Sequence, residues 1–70
     1  MANRLWRVMV NRKLPNTGIE HFWATYKGVA PTAEVAMDAA RSFAARYSGE
    51  TKELYSVSKI ELLDHIDFLA

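Results

Sequence analysis

Apolar and polar residues alternate from Arg4 to Arg12, with Trp6, Val8 and Val10 on one side and Leu5, Arg7, Met9 and Asn11 on the other. A period of two with β-branched residues on the cleaner side predicts a strand. Leu14-Pro15-Asn16-Thr17-Gly18 follows, a run in which Pro fixes φ and Asn and Gly accept left-handed geometry, so it predicts a turn. Alternation resumes from Ile19 to Lys27, with Phe22, Ala24 and Tyr26 on one side and His21, Trp23, Thr25 and Lys27 on the other. The two segments are expected to form an antiparallel hairpin, with Gly28 closing its second strand.

A helix is predicted from Thr32 to Ser48. Thr32 can accept from the free amides of the first turn, Glu34 and Asp38 sit near the positive end of the dipole, Arg46 lies near the negative end, and Gly49 suits a left-handed cap. Ala36, Ala39, Ala40, Phe43 and Tyr47 share one stripe, read as the core face, with the alanines allowing close approach to a sheet. Glu53 to Leu62 is read as a third strand: Tyr55 and Val57 hold one phase, Ile60 and Leu62 the other, which implies a bulge near Ser58 or Lys59. The competing reading makes Ser58-Lys59-Ile60-Glu61 a capping box that opens a short helix. Residues 63–70 form a tail whose Ile66, Phe68 and Leu69 should dock against the domain, because a solvated apolar tail invites aggregation.

The expected fold is therefore α+β, a single domain in the order β-β-α-β, in which one helix covers one face of a three-stranded antiparallel sheet. With Trp6, Val8, Val10, Phe22, Ala24, Tyr26, Tyr55 and Val57 facing the helix, the opposite face presents Leu5, Arg7, Met9, His21, Trp23, Thr25 and Lys27. One helix cannot cover both faces.

Composition narrows the chemistry. At 70 residues and 50% hydrophobic the chain holds one thin core, with little room for a catalytic cavity. It contains no cysteine, which excludes disulfides and Cys-based zinc or redox sites and suits the cytoplasm. No apolar run approaches the roughly 18 residues of a membrane span, and arginines interrupt the N-terminal segment where a signal peptide would be apolar. The net charge of +1 divides unevenly: residues 1–30 carry five basic residues and one acid, residues 31–70 four basic residues and seven acids. Such asymmetry can orient a charged partner.

His21 and His65 are the only histidines, and no HExxH, paired HxH or cysteine accompanies them. Asp64, His65 and Asp67 read as a polar turn rather than a metal site. Gly18, Gly28 and Gly49 are all used at expected turns and caps, which leaves no P-loop or dinucleotide fingerprint, and no Ser or Thr lies in a nucleophile elbow. Neither an enzyme, a cofactor nor a metal is expected.

The open sheet face is the informative feature. Trp23, Arg7, Met9, Lys27 and His21 together combine aromatic, flexible and cationic character, the composition of protein-binding hot spots. Trp23 would be the anchor, and Arg7 and Lys27 would select an acidic rim. The same basic hairpin could instead place Arg4, Arg12 and Lys13 along phosphates while a base stacks on Trp23. A second copy of the chain could also bury this face, and the strand edges offer a further route to a homodimer.

The segments Trp6-Arg7-Val8-Met9-Val10, Phe22-Trp23-Ala24-Thr25-Tyr26, Ala30-Pro31-Thr32-Ala33-Glu34-Val35-Ala36 and Tyr55-Ser56-Val57-Ser58-Lys59-Ile60-Glu61, in this order of elements, resemble a loose class of very small phage and prophage proteins. Some members are anti-CRISPR proteins, which bind a CRISPR effector complex and block its guide or target channel. The resemblance covers most of the chain as a pattern without a motif. It implies a host-takeover inhibitor acting by steric blockage, and it transfers no site residue.

Overall fold

The computed structural model describes residues 3–63. Strand β1 (Arg4–Lys13) turns into β2 (Glu20–Ala30), helix α1 (Ala33–Ser48) follows, and a 3-10 turn at Lys52–Leu54 leads into β3 (Tyr55–Leu62). The sheet order is β2-β1-β3, and β1 is antiparallel to both neighbours. The α1 crossover therefore carries the chain over the sheet from one edge to the other. This is the expected α+β arrangement, with the third strand present and the helical alternative for 58–61 excluded. The apolar tail predicted for 63–70 lies, beyond Leu63, outside the described residues.

Local chemistry accounts for the joints. In the hairpin loop Leu14 N–H donates to Ile19 O at 2.8 Å and Gly18 N–H donates to Leu14 O at 3.1 Å, with Gly18 at φ 72°. The helix begins where Thr32 Oγ1 accepts from Val35 N at 3.3 Å. It ends at Gly49, whose φ of 77° is left-handed and whose N–H donates to Ala45 O at 2.9 Å. Both caps match the expectation.

The second strand extends past its expected end. Gly28 does not close it but lies within it, opposite Trp6, and pairing continues to Ala30. A Cβ at Gly28 would stand 2.7 Å from the Tyr26 hydroxyl, so the bare glycine makes room for the Tyr26 ring to lean along its own strand. Trp6 Nε1 donates to Ala30 O at 3.0 Å and secures this end. The third strand starts later than expected, because Glu53 and Leu54 belong to the 3-10 turn.

Val8, Val10, Ala30, Tyr55 and the helix residues Ala36, Ala40 and Ala44 form the buried core. The expected helical stripe is thus displaced by part of a turn. Phe43 is 49% exposed and Tyr47 76% exposed, while Ala44 takes an inner position. The reason is the bulk already standing on the sheet: Trp6, Trp23, Tyr26 and Tyr55 let the helix come close only along its line of alanines. Phe43 and Tyr47 then flank the contact on the β2 side, with Phe43 5.7 Å from Tyr26 and Tyr47 6.1 Å from Trp23 between ring centres.

Two irregularities set which side chains share a face. In the β1–β3 ladder, Met9 pairs with Lys59 and Val10 with Val57, so Ser58 is an extra residue, and Ile60 and Leu62 stay on the helix side. This is the bulge expected near Ser58. In the β1–β2 ladder, Val10 pairs with Ala24 and Asn11 with Phe22, so Trp23 is also an extra residue. No phase change was expected there. An extra residue reverses the faces of everything before it in the strand.

Candidate protein-binding surface

The face of the sheet away from α1 carries no second layer among the described residues. Along β1 it presents Leu5, Arg7, Met9 and Asn11, and along β3 it presents Ser56, Lys59 and Glu61, by strand alternation and register. From β2 come Phe22, Thr25, Lys27 and Val29, all exposed. Lys13 and Glu20 face each other at the hairpin end, and Ser56 Oγ donates to Glu20 Oε1 at 2.8 Å.

Of the expected open-face residues, Arg7, Met9 and Lys27 do lie there, while Trp23 and His21 do not. The β2 bulge turns Trp23 toward the helix, where it packs on the core with its ring 5.4 Å from Tyr55 and 6.1 Å from Tyr47, in edge-on contacts. His21 is exposed opposite Arg12 on the helix side, its Nδ1 3.2 Å from Phe22 O. Phe22, expected in the core, takes the open face at 53% exposure. It is the aromatic that the reading of alternation had placed on the wrong side.

The charges on this face are partly committed. Arg7 Nε donates to Glu61 Oε1 at 2.7 Å, and Lys59 Nζ stands 3.6 Å from Glu61 Oε2. The hydrogen bond from Arg7 lowers the Glu61 pKa, against the opposing effect of desolvation and with further help from the charges of Arg7 and Lys59. A carboxyl whose folded pKa is depressed contributes stability above its unfolded-state value and loses it as pH falls through the lower folded value. The midpoint difference between wild type and Glu61→Gln in urea unfolding is therefore expected to be constant above about pH 5 and to shrink below about pH 4. A difference that stays constant down to pH 2 would remove the ion pair from the stability of the fold.

The residues expected to contact phosphate separate. Arg12 is tied to Glu50 by two hydrogen bonds, Nε to Oε2 at 2.7 Å and Nη2 to Oε1 at 2.6 Å, and Glu50 raises its pKa. A guanidinium gripped in this way is a brace between β1 and the segment that follows α1 rather than a free phosphate ligand. Arg4 lies opposite Ala30 and Lys13 at the far end of the strand, so the three cations do not form one line.

A shallow recess of about 430 Å³ lies elsewhere, lined by Asp38, Arg41, Lys52, Glu53 and Tyr55. Lys52 Nζ is paired with Asp38, and the Tyr55 hydroxyl is hydrogen-bonded to Ser48 Oγ, so these groups hold the turn before β3 in place. Among the described residues no three His, Cys, Asp or Glu side chains converge as metal ligands. The expected polar turn around His65 lies outside the described residues. None of the described helices is long and apolar enough to cross a membrane. No known protein family, curated protein or solved structure matches the chain.

Proposed function

We propose that this chain is a small non-enzymatic binding module whose open sheet face docks on an apolar, acid-rimmed surface of a protein and blocks what that surface would otherwise bind. The observation that carries this reading is the face itself, which nothing covers among the described residues. Met9 sits at its centre between Thr25 and Lys59, Phe22 and Val29 stand exposed on one flank, and Lys27 and Lys59 lie on opposite sides of Arg7 and Met9. Among the described residues cations outnumber carboxylates there, because Glu61 is shared by Arg7 and Lys59 while Lys27 stands opposite Arg7. A protein carrying acidic residues around an apolar patch is complementary to that arrangement. Inhibition of a larger complex, such as a CRISPR effector, would follow from occupancy alone.

Nucleic acid is the second reading, favoured by Phe22 as a stacking platform on the same face as Lys27. The commitment of both Arg7 and Arg12 to carboxylates weighs against it. A tagged chain is used to capture partners from bacterial lysate, with and without nuclease, beside Met9→Ala and Lys59→Glu variants of unchanged Tm. A defined protein that survives nuclease and is lost with both variants is the expected result. Capture that vanishes with nuclease assigns the face to nucleic acid, and capture that ignores both variants removes the face from the interaction.

A further inference from the structure

The two long sides of this molecule differ in kind. Of the large hydrophobic residues exposed among the described residues, Ile19, Phe22 and Val29 lie in β2 or just before it, Phe43 and Tyr47 lie on the flank of α1 packed beside it, and Val35 lies in the first turn of α1. Four side-chain ion pairs among the described residues, Arg7–Glu61, Arg12–Glu50, Lys52–Asp38 and Lys59–Glu61, involve β3 or the segment leading into it. The β2 side is therefore an apolar edge, and it ends in a strand of 11 residues paired, among the described residues, on one side only. An edge of this kind is a template for another strand.

We propose that this edge pairs with the same edge of a second copy, β2 antiparallel to β2 about a two-fold axis between Trp23 and Ala24. Charge selects the register. Glu20 and Lys27 are the only β2 residues of fixed charge, and a two-fold centred between 23 and 24 sets each Lys27 opposite the other copy's Glu20. Centring the axis on residue 27 would instead oppose lysine to lysine.

The bulge makes this register possible. In an unbroken strand, residues 20 and 27 point to opposite faces, whereas residues paired across an antiparallel ladder point to the same one. The extra residue at Trp23 reverses the phase, so Glu20 and Lys27 share the open face, as do Phe22 and Thr25, and His21 and Tyr26 share the helix side. The ladder runs in two straight stretches, 20–22 against 25–27, with the bulged residues at the axis. Tyr47, at 76% the most exposed aromatic among the described residues, packs on Trp23 and so lies beside that axis. The product is a six-stranded sheet with both helices on one side and the two open faces joined on the other.

Sedimentation of the purified full chain is expected to give twice the monomer mass of 8.0 kDa. Lys27→Glu should raise the dimer dissociation constant at least about tenfold by opposing acid to acid, and the swap E20K/K27E should restore it. Since the chain has no cysteine, a mixture of Glu20→Cys and Lys27→Cys chains should form disulfide-linked pairs across variants in preference to either variant alone. A chain that stays monomeric at about 100 µM overturns the proposal, as does a dimer whose cross-links ignore this register. Monomers that still lose their partner on Met9→Ala would refute the pairing while leaving the open-face reading intact.

Discussion

Replacing Trp23 by alanine is expected to lower the stability of the isolated domain by about 3 kcal/mol, within the range for removing a packed aromatic residue. In a domain of this length that corresponds to a fall in Tm of about 12–24 °C. The expectation follows from the edge-on contacts of Trp23 with Tyr55 and Tyr47 and from its packing on the core. It also depends on the bulge, because only the extra residue turns Trp23 toward the helix. Phe22→Ala is the internal control: at 53% exposure it should move stability by no more than about 0.5 kcal/mol. Thermal melts of the two variants side by side read the phase of β2 directly. The reverse order, with Phe22 costly and Trp23 neutral, would mean that β2 carries no bulge and that its side chains are exchanged.

Ala40→Leu is expected to cost about 3 kcal/mol, at the upper end of what overpacking commonly does. Ala40 is 1% exposed in the middle of the line Ala36, Ala40, Ala44, where the helix rests on Val8 and Val10. A larger side chain there must lift the helix, and lifting it opens the contacts of Ala36 and Ala44 as well. Ala39→Leu, on the half-buried flank toward β2, should cost under about 1 kcal/mol, since leucine is nearly as good a helix former and has space beside Phe43. Urea unfolding of both variants checks this. Equal costs would show that the helix contacts the sheet through a broader face than the alanine line.

How far the sequence could be read depended on whether each signal was local. The hairpin turn and both helix caps are local events, carried by Pro15, Gly18, Thr32 and Gly49, and they stand where the residue types indicate. The β3 bulge was also visible, since the apolar residues 55, 57, 60 and 62 skip a position and only an extra residue can reconcile them. The β2 bulge left no such trace. Phe22 and Trp23 are adjacent aromatics, so either phase supplies a large residue to the core, and the choice is made by pairing with β1, which lies outside the segment. The candidate surface suffered accordingly: Arg7, Met9 and Lys27 were placed correctly because they lie in β1 or beyond the bulge, and Trp23 and His21 were not. The exposure of Phe43 and Tyr47 was hidden for a related reason, because a helical stripe does not say which of its edges the sheet leaves room for.

The strand order has a kinetic consequence. Since β1 is central, the β1–β2 ladder closes across a short loop, whereas the β1–β3 ladder joins residues as far apart as Trp6 and Leu62. Closing the longer loop must await the crossover helix, and long-range pairing of this kind sets the pace of folding. Until it forms, the hairpin has a free edge on β1 as well as on β2, and Val8 and Val10 are open to solvent. Substitutions that weaken β3 should therefore lengthen the life of a species whose central strand is a free edge and whose core valines are exposed, so that the yield of soluble protein falls faster than its equilibrium stability.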